Sequence, residues 1–220
     1  MKRVVIVVEG QTEASFVSGV LAGALWPHQV YLTPILLGHQ GGRPSYTRVK
    51  KDVLLYLKQD RGAYCSTMLD LYGLGAGFPG TPAPANLSNI EKVTHIEQAV
   101  KADICSIIPD LRPDLRFLPY LQLHEYEGLL FSDPPAFASA INQPNLATAF
   151  QKVRNDFPTP EDINDAPTTA PSKRVLQAFP GYRKVLQGTI AAQRIGIEAM
   201  RRECPHFQDW VARLEAIGTS

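Results

Sequence analysis

Val4-Val5-Ile6-Val7-Val8-Glu9-Gly10-Gln11-Thr12-Glu13 is the stretch on which the fold turns. Five β-branched residues run together, then stop at a carboxylate, a glycine and, four residues after the first, a second carboxylate. An apolar run of this length without alternation reads as a strand buried on both faces, as in a parallel sheet covered by helices. Glu9 then stands at the strand's C-terminal end, Gly10 permits the sharp turn, and Glu13 lies about one turn into the following helix. Open α/β sheets bind ligands outside the carboxyl ends of their strands, so two acids already stand at the functional edge. The alternative is a solvated βα turn with no role in binding.

Working outward, Phe16, Val17, Val20, Leu21 and Ala24 recur at helical spacing and predict a helix over 12–25, closed by Pro27. Residues 30–37 form the next strand and lead into Gly38-His39-Gln40-Gly41-Gly42-Arg43-Pro44. Glycine-rich loops of this kind cradle phosphates through exposed backbone N–H groups, which makes His39 and Arg43 candidate substrate contacts. No Gly-Lys-Ser/Thr follows, so this is not a Walker loop, and a plain surface loop is the alternative. Residues 46–59 predict a helix with Val49, Val53, Leu54 and Leu57 inward. Its cations, Arg48, Lys50, Lys51 and Lys58, read as a solvated face or as a nucleic-acid contact.

A third strand over 65–71 again ends in an acid followed by a glycine, Met68-Leu69-Asp70-Leu71-Tyr72-Gly73. The loop over 73–86 contains a formal GxGxxG from Gly75 to Gly80. Pro79, Pro82 and Pro84 forbid the helix that a dinucleotide fingerprint needs, so the match is rejected. Its length suggests a lid or substrate-facing element. Ser88 caps a helix over 89–104. A fourth strand over 117–123 runs into His124-Glu125-Tyr126-Glu127-Gly128, acids once more at a strand end. Gly128 stands where HExxH needs its second histidine, which removes zinc and leaves His124 as a proton carrier, a supporting partner or a structural histidine.

A short helix over 136–141 follows. From 142 to 172 the chain turns polar and Pro-rich, with Pro144, Pro158, Pro160, Pro167 and Pro171, interrupted by a helix over 145–156. Another helical piece starts at Ser172-Lys173-Arg174. The end is helical over 190–203 and again through Phe207, Trp210, Val211, Leu214 and Ile217. The expected organisation is an α/β domain over 1–141, with a Pro-rich connection and helical extension over 142–220 packed on the same domain. With 220 residues, 45% of them hydrophobic, one globular unit is expected. Three dispersed cysteines indicate a reducing compartment, and no run reaches membrane-spanning length, so a cytoplasmic protein is expected. The net charge of +1 decides nothing about nucleic acid, because a basic groove and an acidic site cancel in the sum. No GxSxG elbow and no evident Cys–His pair support nucleophilic catalysis.

Parallel neighbours present their carboxyl ends on one edge, so Glu9, Glu13, Asp70, Glu125 and Glu127 are expected to converge. Carboxylates gathered in one cleft repel each other unless a cation neutralises them. Mg²⁺ or Mn²⁺ is the natural solution: such an ion takes one or two carboxylates, keeps waters and bridges phosphates. Two such ions support phosphodiester hydrolysis.

The ordered set resembles a known group. Strand-Glu-Gly-x-x-Glu-helix followed by strand-Asp resembles the Toprim domain of topoisomerases, primases and overcoming-lysogenization-defect nucleases. More closely, Val8 to Glu13, Met68 to Gly73 with Phe78-Pro79-Gly80, Leu123 to Phe131, Pro171 to Arg174 and Cys204 to Trp210 resemble a bacterial Toprim-related family of unknown function. The resemblance covers nearly the whole chain. It implies a Toprim-like, Rossmann-like open parallel sheet with helices on both faces. It also implies Glu9 in acid–base work or metal binding, with Glu13 and Asp70 as ligands. Toprim strands carry Asp-x-Asp, and Tyr72 stands at the second position here, so Glu125 or Glu127 must replace the missing acid if a second ion binds. The related nucleases complete the site with a lysine, for which Lys173 and Lys184 are candidates, and Arg174 and Tyr72 join the substrate-binding set. The expected activity is a metal-dependent phosphodiesterase, a DNA nuclease acting with a partner ATPase and without an organic cofactor, in defence or repair. A non-catalytic module binding nucleic acid or protein and a nucleotidyl-transfer enzyme are the rivals.

Overall fold

The computed structural model describes residues 1–75, 77–164 and 169–219; Ala76 of the rejected glycine motif and Pro167 of the connection lie outside them. Three full strands run side by side: β1 (Lys2–Val8), β2 (Val30–Leu36) and β3 (Tyr64–Asp70). Two short ones, β4 (Phe117–Leu118) and β5 (Leu121–Gln122), both pair with β3. All pairings are parallel, and the order is β2-β1-β3-β4. The apolar run of β1 is central because both of its edges are paired, and its alternate side chains enter two different cores. Val4, Ile6 and Val8 pack on one face of the sheet, whereas Val7 packs on the other with Cys65 and Leu69.

The first connection begins as helix α1 (Gln11–Phe16), widens into a π-helical turn (Val17–Leu21) and closes as α2 (Ala22–Leu25). The expected helix is therefore continuous but not uniformly α. Val17 and Leu21 stay buried through the wide turn, so the hydrophobic spacing survives the extra residue and cannot reveal it. Helices α3 (Tyr46–Gln59) and α4 (Asn89–Ile107) cover the second face. Ser88 caps α4, accepting from the Glu91 amide, while the Glu91 carboxylate accepts from the Ser88 amide at 2.8 Å. In the loop before α4, Phe78 is buried against Tyr46, with ring centroids 5.4 Å apart.

The fourth strand is broken where one run was expected. Pro119 has no N–H to give to the ladder. The Thr67 hydroxyl fills the gap, donating to the Tyr120 carbonyl at 2.8 Å and accepting from the Tyr120 amide at 2.9 Å. Short helices α5 (Pro113–Arg116), α6 (Glu127–Leu130), α7 (Pro134–Ala140) and α8 (Ala147–Asn155) follow the chain order around this strand. The C-terminal part adds α9 (Pro171–Ala178), α10 (Lys184–Ile195), α11 (Ile197–Glu203) and α12 (Pro205–Gly218). Gly196, at φ +79°, separates α10 from α11 where one helix was expected.

Helix α12 contributes to the same core as β1. Trp210 stacks on Tyr120 with centroids 4.1 Å apart, and its indole N–H donates to Ser66 Oγ at 2.9 Å. Glu161 accepts from the His206 and Phe207 amides at 2.9 and 3.0 Å, where the first turn of a helix lacks internal partners. Among the described residues no helix is long and apolar enough to cross a membrane.

Candidate active site

Register delivers the acids. Val8 lies beside Met68 and Leu36, so Glu9, one residue past β1, stands next to Asp70, the last residue of β3. The Asp70 amide donates to Glu9 Oε2 over a long 3.4 Å. Glu13 is buried, and its Oε2 accepts from the Gly10 amide at 2.9 Å, which ties the start of α1 to the turn. Leu121 and Gln122 of β5 lie beside Leu69 and Asp70, so the chain leaves this strand directly into His124-Glu125-Tyr126-Glu127 at the same edge. The Tyr126 amide donates to Asp70 Oδ1 at 3.1 Å.

Glycines let the backbone close around Glu9. The Gly42 amide donates to the Glu9 carbonyl at 3.0 Å. Gly41 has φ +74°, and a Cβ there would sit 2.8 Å from that same carbonyl oxygen, so both conformation and space require glycine. A Cβ at Gly73 would approach the Glu9 carboxylate oxygens to 3.0 and 3.1 Å.

Lys184, the first residue of α10, completes the cluster. Its ammonium lies 3.0 Å from Glu127 Oε2, and Glu127 is fully buried. Beyond this ion pair neither Glu127 oxygen has a hydrogen-bond partner among the described residues. Burial pushes the Glu127 carboxyl up to about 7, with Lys184 opposing the rise and Glu125 adding to it. Asp70 is raised well above the usual carboxylate range, first by burial and then by Glu13, with Lys184 opposing. Burial and the Glu13 charge also raise Glu9. Burial alone would lower Lys184, but Glu127, Asp70 and Glu13 outweigh it and hold the ammonium charged. Glu125 joins through the Glu9 and Glu127 charges, while its own Oε2 accepts from the Ser172 amide at 2.9 Å in the first turn of α9.

A family model described as "Domain of unknown function (DUF4276)" matches residues 8–215. The chain belongs to this family. No curated protein matches it. Among solved structures, the C-terminal region of the Xanthomonas campestris pv. campestris OLD protein, phased with iodine, is similar at 14% identity and TM-score 0.46, over 100% of this chain and 97% of that one. The same region phased with mercury is similar at 13% identity and TM-score 0.40, over 96% and 97% of the two chains. Phased with platinum it gives 15% identity and TM-score 0.38, over 100% and 98%.

In this DUF4276 chain the other expected site residues fall in different places. Lys184 lies with the acids, whereas Lys173 is exposed on α9. Arg174 packs over the Phe157 ring at 5.2 Å and donates to the Thr169 carbonyl at 2.7 Å. Arg43 is exposed and its Nε donates to the Gly73 carbonyl at 3.4 Å, beside the Glu9 carboxylate. His39 is exposed and lines a groove of about 390 Å³ with Arg48, Lys51 and Asp52. The loop between is less of a phosphate cradle than its glycines suggest. The Gly38 amide is spent on Asp52 at 2.6 Å, and those of Gly41 and Gly42 on the Leu37 and Glu9 carbonyls.

Tyr72 stands at the rim, partly exposed, with its ring edge on His124 at 6.1 Å and its amide donating to the His124 carbonyl. His124 itself has φ +60°, a conformation that costs energy in a residue other than glycine. Its Nδ1 lies 3.3 Å from the Asn164 side-chain nitrogen, its Nε2 is buried without a partner among the described residues, and burial lowers its pKa. Sequence reasoning missed Tyr182, whose buried hydroxyl has no hydrogen-bond partner among the described residues and feels the Glu127 charge. No motif marks it. Gly73 was legible as a turn glycine but not as the neighbour of Glu9. A cavity of about 460 Å³ between α7 and α8 involves none of the strand-end acids.

Proposed function

We propose that the chain is a divalent-metal-dependent phosphodiesterase, a DNA nuclease of Toprim type that works beside a partner ATPase. The observation that carries this reading is the meeting of five carboxylates, Glu9, Glu13, Asp70, Glu125 and Glu127, with one ammonium, Lys184, at the carboxyl edge of a parallel sheet. Carboxyls at this edge are raised by burial and by each other's charge, which is the state a bound cation relieves. Among the described residues no three His, Cys, Asp or Glu side chains close on a single point. Mg²⁺ or Mn²⁺ needs only one or two carboxylates and fills its shell with water and phosphate oxygens. Glu13 and Asp70 would hold it as such a pair, and it would supply an activated water and a counter-charge for the phosphate.

The chain's own residues would do the rest. Glu9, tethered only by the long bond from the Asp70 amide, is free to take a proton from the attacking water. Lys184 offsets the charge that builds on the phosphate. Arg43, beside Glu9, and Lys51, in the groove beside His39, supply contacts for the nucleic-acid backbone. The partner ATPase rests on the sequence resemblance to the overcoming-lysogenization-defect nucleases.

Plasmid cleavage with Mg²⁺ or Mn²⁺ tests the reading. Glu9→Gln and Asp70→Asn should each lose about 10²- to 10⁴-fold in rate. Equal cleavage by all three proteins identifies a contaminant and ends the claim. The rival, a non-catalytic binding module, is favoured by Tyr72, a partly exposed aromatic where an acid was expected. Calorimetric titration with Mn²⁺ separates the two, since a module that has lost its ligands takes up no ion at millimolar concentration.

A further inference from the structure

The opposite end of the sheet carries a second cluster, and it is cationic. Tyr64 opens β3 and Asp70 closes it, so Tyr64 lies about 20 Å from the acids, at about 3.3 Å per residue. There a cavity of about 400 Å³ opens between α4, α5, β4 and α12, lined by Tyr64, Lys101, Leu115, Leu118, Arg213 and Ile217, with Asp114 at its side. Its two cations are incompletely matched. Lys101 is partly buried and makes no ion pair among the described residues. Burial lowers its pKa and the Arg213 charge adds to that, against Cys105 and Asp114. Arg213 Nε lies 3.1 Å from Asp209 Oδ2 but out of line with its N–H bond. Neither Nε nor Nη2, both buried, has a hydrogen-bond partner among the described residues. Asp114 does not fill the gap, because its oxygens accept from Arg112, at 3.0 Å from Nε and 2.8 Å from Nη2. The rest of the wall is apolar, and Leu115 stands 60% exposed in it.

Two neighbouring cations disfavour each other until an anion lies between them. A guanidinium offers a planar pair of donors and an ammonium a point charge, a combination that suits phosphate. The tyrosine and leucine wall beside them suits a flat, largely apolar body. A cavity of about 400 Å³ is at the small end of the roughly 300–1,000 Å³ range of ligand pockets, which favours a mononucleotide over a dinucleotide. We propose that this cavity binds a nucleoside monophosphate, its phosphate held by Lys101 and Arg213 and its base set against Tyr64, Leu115 and Leu118. The site needs no metal and stands or falls apart from the phosphodiesterase reading.

AMP, GMP, CMP and UMP, each titrated calorimetrically into the full chain in EDTA, test it, beside thermal melts that establish folding. The chelator keeps divalent ions off the distant acids. At least one of the four should bind, one per chain, and raise the melting temperature. The matching nucleoside and inorganic phosphate should each bind at least about tenfold more weakly, because each lacks half of the contacts. Lys101→Met and Arg213→Met should each weaken the nucleotide by about tenfold or more, and Leu115→Asp should weaken it through the base. A nucleoside that binds as tightly as its monophosphate, or phosphate that binds as tightly as the nucleotide, overturns the proposal. Unchanged affinity in folded Lys101→Met overturns it equally, as does no uptake of any of the four. If Arg213→Met does not fold, Lys101→Met and Leu115→Asp decide. A single-stranded oligonucleotide that binds where no mononucleotide does, and is lost in Lys101→Met, would make this face a strand contact and end the mononucleotide claim.

Discussion

At the scale of single residues, Glu9 is defined as much by what is missing beside it as by its own charge. Gly73 leaves the space that its carboxylate fills, and a methyl group there would lie 3.0 Å from Oε2. A contact that tight forces the neighbour to move, and Glu9 is the flexible partner. Gly73→Ala should therefore fold with near-wild-type stability, within about 1 kcal/mol, yet weaken Mn²⁺ binding and any cleavage that depends on Glu9. The check is a urea melt beside a calorimetric titration; unchanged Mn²⁺ affinity would show that Glu9 does not need that space. The two candidate lysines illustrate the opposite limit of reading residues one at a time. Lys173 and Lys184 are equally plausible as sequence, because nothing local says which helix start reaches the sheet edge. Only packing separates them, placing Lys184 3.0 Å from a buried carboxylate and Lys173 in solvent.

At the scale of elements, the run Val4 to Val8 and the acid-glycine endings were legible because they depend on local chemistry: a buried strand needs apolar residues, and a sharp turn needs glycine. The break in the fourth strand was legible only in part. Pro119 announces it, but the repair comes from Thr67, which is 53 residues away from the peptide it satisfies. The π turn at Val17–Leu21 left no trace, since spacing of four keeps the same face buried in either helix. The strand repair is open to measurement. Thr67→Val keeps shape but removes the hydroxyl, leaving the buried Tyr120 amide and carbonyl without that partner. A buried donor stripped of its partner costs about 1–3 kcal/mol. Urea unfolding should show a loss of that size for Thr67→Val and less for Thr67→Ser, which keeps the oxygen. No loss in Thr67→Val would show that the strand does not need the hydroxyl.

At the scale of the whole molecule, burial of like charges makes the native state sensitive to pH in a direction set by the shifts themselves. Glu127 is raised from 4.5 to about 7, and Asp70, Glu9 and Glu161 are raised as well. Each of these acids holds its proton more tightly in the native chain than in the unfolded one. Their contribution to stability is complete below the unfolded values and is lost as pH rises through the folded ones. His206, raised by its hydrogen bond to Glu97, has the same sign: stability present below 6.5 is lost above it. His124, lowered by burial, opposes, because its preference for the neutral form is lost as pH falls. The lowered acids Asp60, Asp103 and Glu203 contribute above their unfolded values and weaken the fold only in stronger acid. The metal-free protein should thus be most stable near pH 5 and lose stability toward pH 8. Moving one carboxyl from 4.5 to about 7 accounts for about 3 kcal/mol of that fall, before allowance for relaxation of the buried pair. Thermal melts at pH 5, 6, 7 and 8 should show it, and Glu127→Gln should flatten the slope because one of the raised, buried carboxyls is removed. Mn²⁺ should flatten the wild-type slope too, by relieving the repulsion that raises Glu9 and Asp70. Parallel slopes for wild type and Glu127→Gln would move the pH dependence to the other raised groups, Asp70, Glu9, Glu161 and His206, of which a His206→Gln melt tests the last.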